Sequence, residues 1–182
     1  MGVQAERPNW RCGMACDFVW IPLPAGGAIA GVPPVILAPL STEPGFSMKN
    51  KAFLELTDVK AIAAAAEAEA LKNHWAVSIA VVDDGGHLLW LQRLDGAAPI
   101  SAHIAPAKAN TAALGRRESK VYEDVINGGR VSFLSAPDLK GMLEGGVPIL
   151  KDGQCLGAVG VSGVKSTEDA QIARAGIAAL GL

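Results

Sequence analysis

Two short turn motifs are the features of this sequence that most constrain its fold. Asp84-Gly85-Gly86 and Lys151-Asp152-Gly153 each separate two runs of alternating apolar residues. Asp-Gly and Gly-Gly pairs supply the positive φ angles that a tight turn between antiparallel strands needs. The chain is therefore predicted to contain two β-hairpins. Their strands are expected over residues 76–83, 87–92, 147–150 and 154–161.

Helical periodicity surrounds these hairpins. Apolar residues recur at three- and four-residue spacing after Thr57-Asp58, over 101–114, over 119–126 and after Ser166. Pro106 interrupts the second of these stretches, so that helix either bends or begins near residue 105. The stretch 130–144 is predicted to be irregular, with at most one short strand. The two strands of each hairpin follow each other directly in the sequence, whereas single strands alternate with helices in a parallel fold. We therefore expect an α+β fold with an antiparallel sheet.

Composition excludes several classes of protein. Half of the 182 residues are hydrophobic and 19% are charged, which permits a substantial core and argues against disorder. The net charge is −2 and there is no basic block, so nucleic acid is not expected as a partner. No proline-free apolar run approaches the roughly 18 residues of a membrane span, so no membrane partner is expected. Three cysteines do not form a disulfide framework, and a cytoplasmic location is expected.

Residues 1–48 differ from the rest of the chain. They contain seven of the eleven prolines, and proline at this density breaks helices and central strands. We expect a flexible or dispensable extension here, followed by one domain over 49–182. The alternative is an export signal, because Arg7 and Arg11 precede an apolar run that ends in Ala28-Ile29-Ala30. Pro22 and Pro24 within that run make the alternative the weaker of the two.

Glycines within the second hairpin are the first candidates for a ligand site. A glycine weakens a strand unless another backbone, a helix or a ligand approaches closely. Tight packing of a helix on the sheet and a wall for a ligand therefore remain alternatives. The helix after this hairpin offers free N–H groups to an anion, although Glu168 and Asp169 could already satisfy them. The residues assigned to this wall are Gly145, Gly146, Val147, Pro148, Gly160, Ser162 and Gly163.

Charged residues and histidines supply the remaining candidates. Arg93, Asp95 and Lys108 lie near the ends of predicted elements, and Arg93 could hold a carboxylate bidentately or pair with Asp95 on the surface. His103 near a helix start is the candidate metal ligand, for a haem iron. An enzyme for a small organic acid would hold the carboxylate with Arg93 or Lys108. It would also need a general acid or base, for which His87, His103 and Asp95 are the candidates.

Five segments in a fixed order carry a family resemblance. They are residues 81–88 (Val-Val-Asp-Asp-Gly-Gly-His-Leu), 93–97 (Arg-Leu-Asp-Gly-Ala), 105–112, 145–149 (Gly-Gly-Val-Pro-Ile) and 157–163. Together they resemble the GlcG/HbpS family, which includes haem-binding HbpS proteins and the C-terminal domain of PduO-type corrinoid adenosyltransferases. The likeness covers nearly all of residues 50–182.

The resemblance implies a profilin-like antiparallel sheet of about five strands flanked by helices. It also implies assembly into dimers or larger rings, and binding of haem or another cofactor. We therefore expect a small-ligand-binding homo-oligomeric module whose ligand is haem or a related carboxylate-bearing cofactor. The alternatives are an enzyme that acts on a small organic acid in a catabolic pathway, and an accessory subunit of such an enzyme. Proteins that share a fold have many different functions, so these alternatives must be distinguished by the residues of the site.

Overall fold

The computed structural model describes residues 50–182, which form four helices, four strands and one 3-10 turn. The predicted extension over residues 1–48 lies outside the described residues. The elements in chain order are α1 (Leu56–Lys72), β1 (Ser78–Asp83), β2 (Leu88–Arg93), α2 (Ser101–Gly115), α3 (Lys120–Asn127), the 3-10 turn (Val131–Ser135), β3 (Gly146–Lys151), β4 (Gln154–Ser162) and α4 (Ser166–Ala178).

The strands form one antiparallel sheet in the order β2-β1-β4-β3. Both predicted hairpins and the α+β class are confirmed, but the described residues contain four strands rather than about five. The stretch 130–144 contributes a 3-10 turn and no strand. Pro137 in that stretch cannot donate to a ladder, and Asp138 has a φ of 63°, outside the extended region.

The second hairpin turn has the backbone that its sequence predicts, whereas in Asp84-Gly85-Gly86 only Gly86 has a positive φ, of 80°. Asp152 and Gly153 have φ angles of 48° and 75°, the paired positive values of a type I′ turn. In the first hairpin, the Asp83 carboxylate accepts hydrogen bonds from the N–H groups of Gly85 and His87 at 2.9 and 2.8 Å. The carboxylate therefore closes this turn and sets the direction of β2.

Helices lie on both faces of the sheet. Helices α1 and α4 cover one face, where Ile62 and Ile172 pack against Val81 and Val159 of the sheet. Helix α2 covers the middle of the other face, over β1 and β4, and contacts β2 much less. Within residues 50–182, none of the helices combines the length and the hydropathy needed to cross a bilayer.

Helix α2 lies directly on the backbone of the sheet. A Cβ atom at Gly160 of β4 would overlap the carbonyl oxygen of Ala105 and lie 2.5 Å from the backbone nitrogen of Ala109. A Cβ at Gly146 of β3 would likewise overlap the carbonyl of Lys108. These two glycines therefore allow the close packing of helix on sheet that was one of the two interpretations of the glycine series. The helix begins at Ser101, so the alternative start near residue 105 is wrong.

A buried ion pair joins α2 to α4. The ammonium of Lys108 donates to the Asp169 carboxylate at 2.8 Å and to the carbonyl oxygen of Val161 at 3.0 Å. Both side chains are almost fully buried. Burial raises the pKa of Asp169, although the hydrogen bond and charge of Lys108 act in the opposite direction. The second carboxylate oxygen accepts from the backbone N–H of Val164 at 3.3 Å, just before α4 begins.

Replacing Gly160 with alanine is expected to lower the free energy of unfolding by roughly 1–3 kcal/mol or more, because the added methyl group forces α2 away from β4. Gly129→Ala is the matched control. That glycine has a φ of 97° but open space around it, so only backbone strain is added. Urea unfolding of both variants checks the prediction, and an equal loss in the two would contradict it.

Replacing Lys108 with alanine is expected to cost about 3–5 kcal/mol, since it leaves the Asp169 carboxylate buried without a counter-ion. The double variant Lys108→Met/Asp169→Leu removes both charges and should recover much of that loss. Chemical denaturation of the single and double variants gives the coupling free energy. A double variant as unstable as the sum of its single changes would show that the pair is not coupled.

Candidate functional site

Helix α2 leaves one face of the edge strand β2 uncovered. Ser78 of β1 is opposite Arg93 of β2, and Ala80 is opposite Leu91. Side chains directly opposite each other on antiparallel strands lie on the same face of the sheet. Ala80 is also opposite Gly160, which lies against α2. Leu91 and Arg93 therefore lie on the α2 side of the sheet, beyond the edge of the helix.

Large apolar side chains are exposed on this strip. Leu88 is opposite Val82, which packs against the alanines of α2, so Leu88 shares the same face. Leu88 is 52% exposed, Leu91 is 42% exposed and Leu114 at the end of α2 is 41% exposed. Scattered exposed leucines need no explanation, but a contiguous set on one face is typical of a binding surface.

One side of α2 completes this surface. The Asn110 side chain donates to the carbonyl oxygen of Gly86, in the turn between β1 and β2, at 3.3 Å. His103 precedes Asn110 by seven residues, which is about two helical turns, so it lies on the same side of α2 and is exposed. We call this surface the hairpin face. It consists of Leu88, Leu91, Arg93, His103, Asn110 and Leu114.

The hairpin face combines an apolar strip with two nitrogen groups. Arg93 makes no ion pair within residues 50–182, so the surface pair with Asp95 that was one interpretation does not form there. Asp95 instead borders a separate cavity of about 330 Å³ together with Glu67 and His74. A guanidinium without a partner beside exposed leucines can bind the carboxylate of an otherwise apolar ligand.

Most of the other predicted site residues lie in packed positions of the sheet, outside the hairpin face. A Cβ at Gly145 would lie 2.8 Å from the Lys108 ammonium, and one at Gly163 would lie 2.5 Å from the carbonyl oxygen of Ala76. Ser162 is buried, and Val147 belongs to the core on the opposite side of the sheet. The structure thus separates Arg93 and His103 from the glycine group. Asp169 lies at the start of α4, which is where the sequence analysis expected free N–H groups to bind an anionic ligand.

Pro148 lies in the outer strand of the sheet, opposite Ala158 of β4. A proline is tolerated there because an edge strand has N–H groups that no neighbouring strand needs. The edge position of β3 therefore explains why a proline can occur at residue 148. It is not part of the hairpin face, which lies at the other edge.

Sequence reasoning did not predict two ionic contacts. Lys108 and Asp169 are 61 residues apart, and only the position of Asp169 in a helix start hinted at its role. The His87 ring lies 3.0 Å from the Asp83 carboxylate. Although partial burial acts in the opposite direction, hydrogen bonds from the backbone and ring of His87 and from the N–H of Gly85 together lower the pKa of Asp83.

No group of three or more His, Cys, Asp or Glu residues in the described part of the chain could hold a metal ion.

Comparison with known proteins agrees with the resemblance found in the sequence. Residues 54–178 match the family described as haem degrading protein HbpS-like. The chain is 59% identical to Protein GlcG of Escherichia coli strain K12 over 115 residues, which is 63% of this chain and 85% of GlcG. It is 28% identical to the corrinoid adenosyltransferase PduO of Salmonella typhimurium over 130 residues, which is 70% of this chain and 39% of PduO.

Solved structures share the fold. The crystal structure of HbpS superposes with a TM-score of 0.69 at 32% identity, over 77% of this chain and 99% of HbpS. A crystal structure of a PduOC:heme complex superposes with a TM-score of 0.65 at 28% identity, over 70% of this chain and 95% of that one. On the family match and on the identity to GlcG, the chain belongs to the HbpS-like family.

Proposed function

We propose that this protein is a homo-oligomeric module that binds haem, or a similar planar ligand bearing carboxylates, on the hairpin face. The observation that carries the proposal is the exposed leucine strip flanked by Arg93 and His103. A surface of this composition fits a ligand that is apolar over most of its area and anionic at its rim.

The residues of the hairpin face match the chemical parts of haem. Leu88, Leu91 and Leu114 provide apolar contact for the macrocycle, since all three are exposed on one side of the sheet. The Arg93 guanidinium can donate two parallel hydrogen bonds to a propionate. His103 offers an exposed imidazole, and a single histidine is a common axial ligand of haem iron. Bound haem would supply redox chemistry at its iron.

The relatives support a haem ligand over other planar acids. The matched family is described as haem degrading, and a structure with the same fold was determined as a heme complex. The three cysteines of the sequence are too few and too unevenly placed for a disulfide framework, as expected of a protein of the reducing cytoplasm. A cytoplasmic location is therefore part of the proposal.

Binding is favoured over the alternative of an enzyme for a small organic acid. A general base is commonly oriented by a carboxylate. Asp83 orients His87 in this way at 3.0 Å, but His87 is not part of the hairpin face. His103, which is part of it, forms no ion pair with any residue over 50–182. Lys108, the other candidate for holding a substrate carboxylate, is neutralised by Asp169 within the core. Arg93 thus remains the anion-binding group that is free to meet a ligand.

Titration of the full chain with haemin is expected to give saturable binding with a shifted Soret band at micromolar protein. His103→Ala should weaken binding at least about tenfold, equivalent to roughly 1.4 kcal/mol, and should change the position of the Soret band. His103 is exposed on a helix, where alanine is a good helix former, so the variant should fold normally.

His74→Asn is the matched control for that experiment. His74 is exposed but borders the separate cavity, and asparagine tolerates its φ of 58°. This variant should bind haemin as the unchanged protein does. Binding that does not saturate, or that is lost equally in both variants, would overturn the proposed site.

A further inference from the structure

We infer that a further cavity, outside the hairpin face, binds a small polyhydroxylated anion through Arg116. The cavity has a volume of about 500 Å³, which is within the usual range for small-molecule sites. We call it the turn pocket. None of its lining residues belongs to the hairpin face, so the inference does not depend on haem. The lining includes Asn50, Lys51, Asp84, Arg116, Gln154 and Cys155.

The turn pocket lies where both hairpin turns meet the end of α2. Asp84 belongs to the turn of the first hairpin, Gln154 begins β4 after the second turn, and Arg116 follows the last residue of α2. The segment before α1 closes the pocket on its remaining side. The Lys51 ammonium there donates to the Asp84 carboxylate, and the N–H of Ala52 donates to the side-chain oxygen of Gln154 at 3.4 Å.

Arg116 gives the turn pocket its positive charge. The ion pair between Lys51 and Asp84 leaves no net charge on those two side chains. The Arg116 guanidinium forms no ion pair with any residue of the described range 50–182. It is therefore free to donate two parallel hydrogen bonds to a carboxylate or a phosphate.

The buried thiol of Cys155 registers these charges at the base of the turn pocket. Burial raises the pKa of this thiol, whereas the positive charges of Arg116 and Lys51 act in the opposite direction. Both cations are therefore close enough to stabilise a negative charge inside the pocket.

The backbone of Arg116 has a conformation that arginine rarely adopts. Its φ of 52° and ψ of 33° lie in the left-handed region, at the position after a helix where glycine is usual. The other non-glycine residues with positive φ in the described part of the chain are two aspartates and a histidine, which are enriched in this region. Arginine is not among these types, so the fold places a guanidinium here at a conformational cost. Such costs are concentrated at functional sites.

The other polar groups of the turn pocket indicate the class of ligand. Asn50 and Gln154 contribute amide groups, which both donate and accept hydrogen bonds. Hydroxyl groups have the same dual capacity, so they are suitable partners for these amides. The cavity is also larger than an inorganic anion requires. A small sugar acid or sugar phosphate offers one anionic end to Arg116 and several hydroxyl groups to the amides.

Isothermal titration of the full chain at constant ionic strength tests the turn pocket with gluconate, glucose 6-phosphate and glucose. These probes share a hydroxylated carbon chain and differ in their charged group. Gluconate or glucose 6-phosphate is expected to bind with a dissociation constant of about 1 mM or lower, and glucose is not expected to bind. Arg116→Gly should raise the dissociation constant of the anionic probe at least about tenfold.

Arg116→Gly also separates loss of the site from loss of the fold. Glycine accepts the left-handed conformation of this position, so the variant should unfold at the same temperature as the unchanged protein or at a higher one. Arg117→Ala is the matched control. It removes the same charge from the next residue, whose guanidinium lies over the Tyr122 ring at 5.8 Å and outside the turn pocket. This control should bind the anionic probe as the unchanged protein does.

The outcomes distinguish the two kinds of anion and the two sites. Binding of gluconate alone would assign a carboxylate ligand, and binding of glucose 6-phosphate alone would assign a phosphate. The absence of saturable binding by both anions, equal binding of glucose, or equal weakening in the Arg116 and Arg117 variants would overturn the turn pocket. Arg116→Gly should still bind haemin normally, so a failure here leaves the haem proposal to its own test.

Discussion

The contact between α2 and the backbone of β4 determines the arrangement of everything else on that side of the sheet. Gly160 lets the helix lie directly on the strand, without any side chain between them. A helix this close to the middle of the sheet cannot also cover β2. The exposed leucines of β2 are therefore a geometric consequence of a packing contact two strands away.

Local signals in the sequence predicted the local structure well. The turn at Asp152-Gly153 requires positive φ angles that few residue pairs accept, so the hairpin could be inferred from this pair. The stripe on α1 was equally clear, because Val59, Ile62, Ala66 and their neighbours at helical spacing are all buried.

The candidate site was harder to predict, for a physical reason. The uncovered face of β2 is determined by the order of the strands and by the position of α2. Neither of these can be recognised in the sequence of β2 itself. The glycine series had two interpretations because a helix and a ligand both need room near a strand. Arg93 and His103 were named from the sequence as candidate ligand-binding groups, but their joint position with Leu88 and Leu91 required the register of β1 and β2.

The buried pair of Lys108 and Asp169 has a consequence for biosynthesis. Lys108 lies in α2, while its counter-ion lies in α4, which the ribosome synthesises after all four strands of the sheet. Until Asp169 emerges, seating α2 on the sheet would bury an ammonium ion without compensation. The core on this side of the sheet is consequently completed only after α4 has been synthesised.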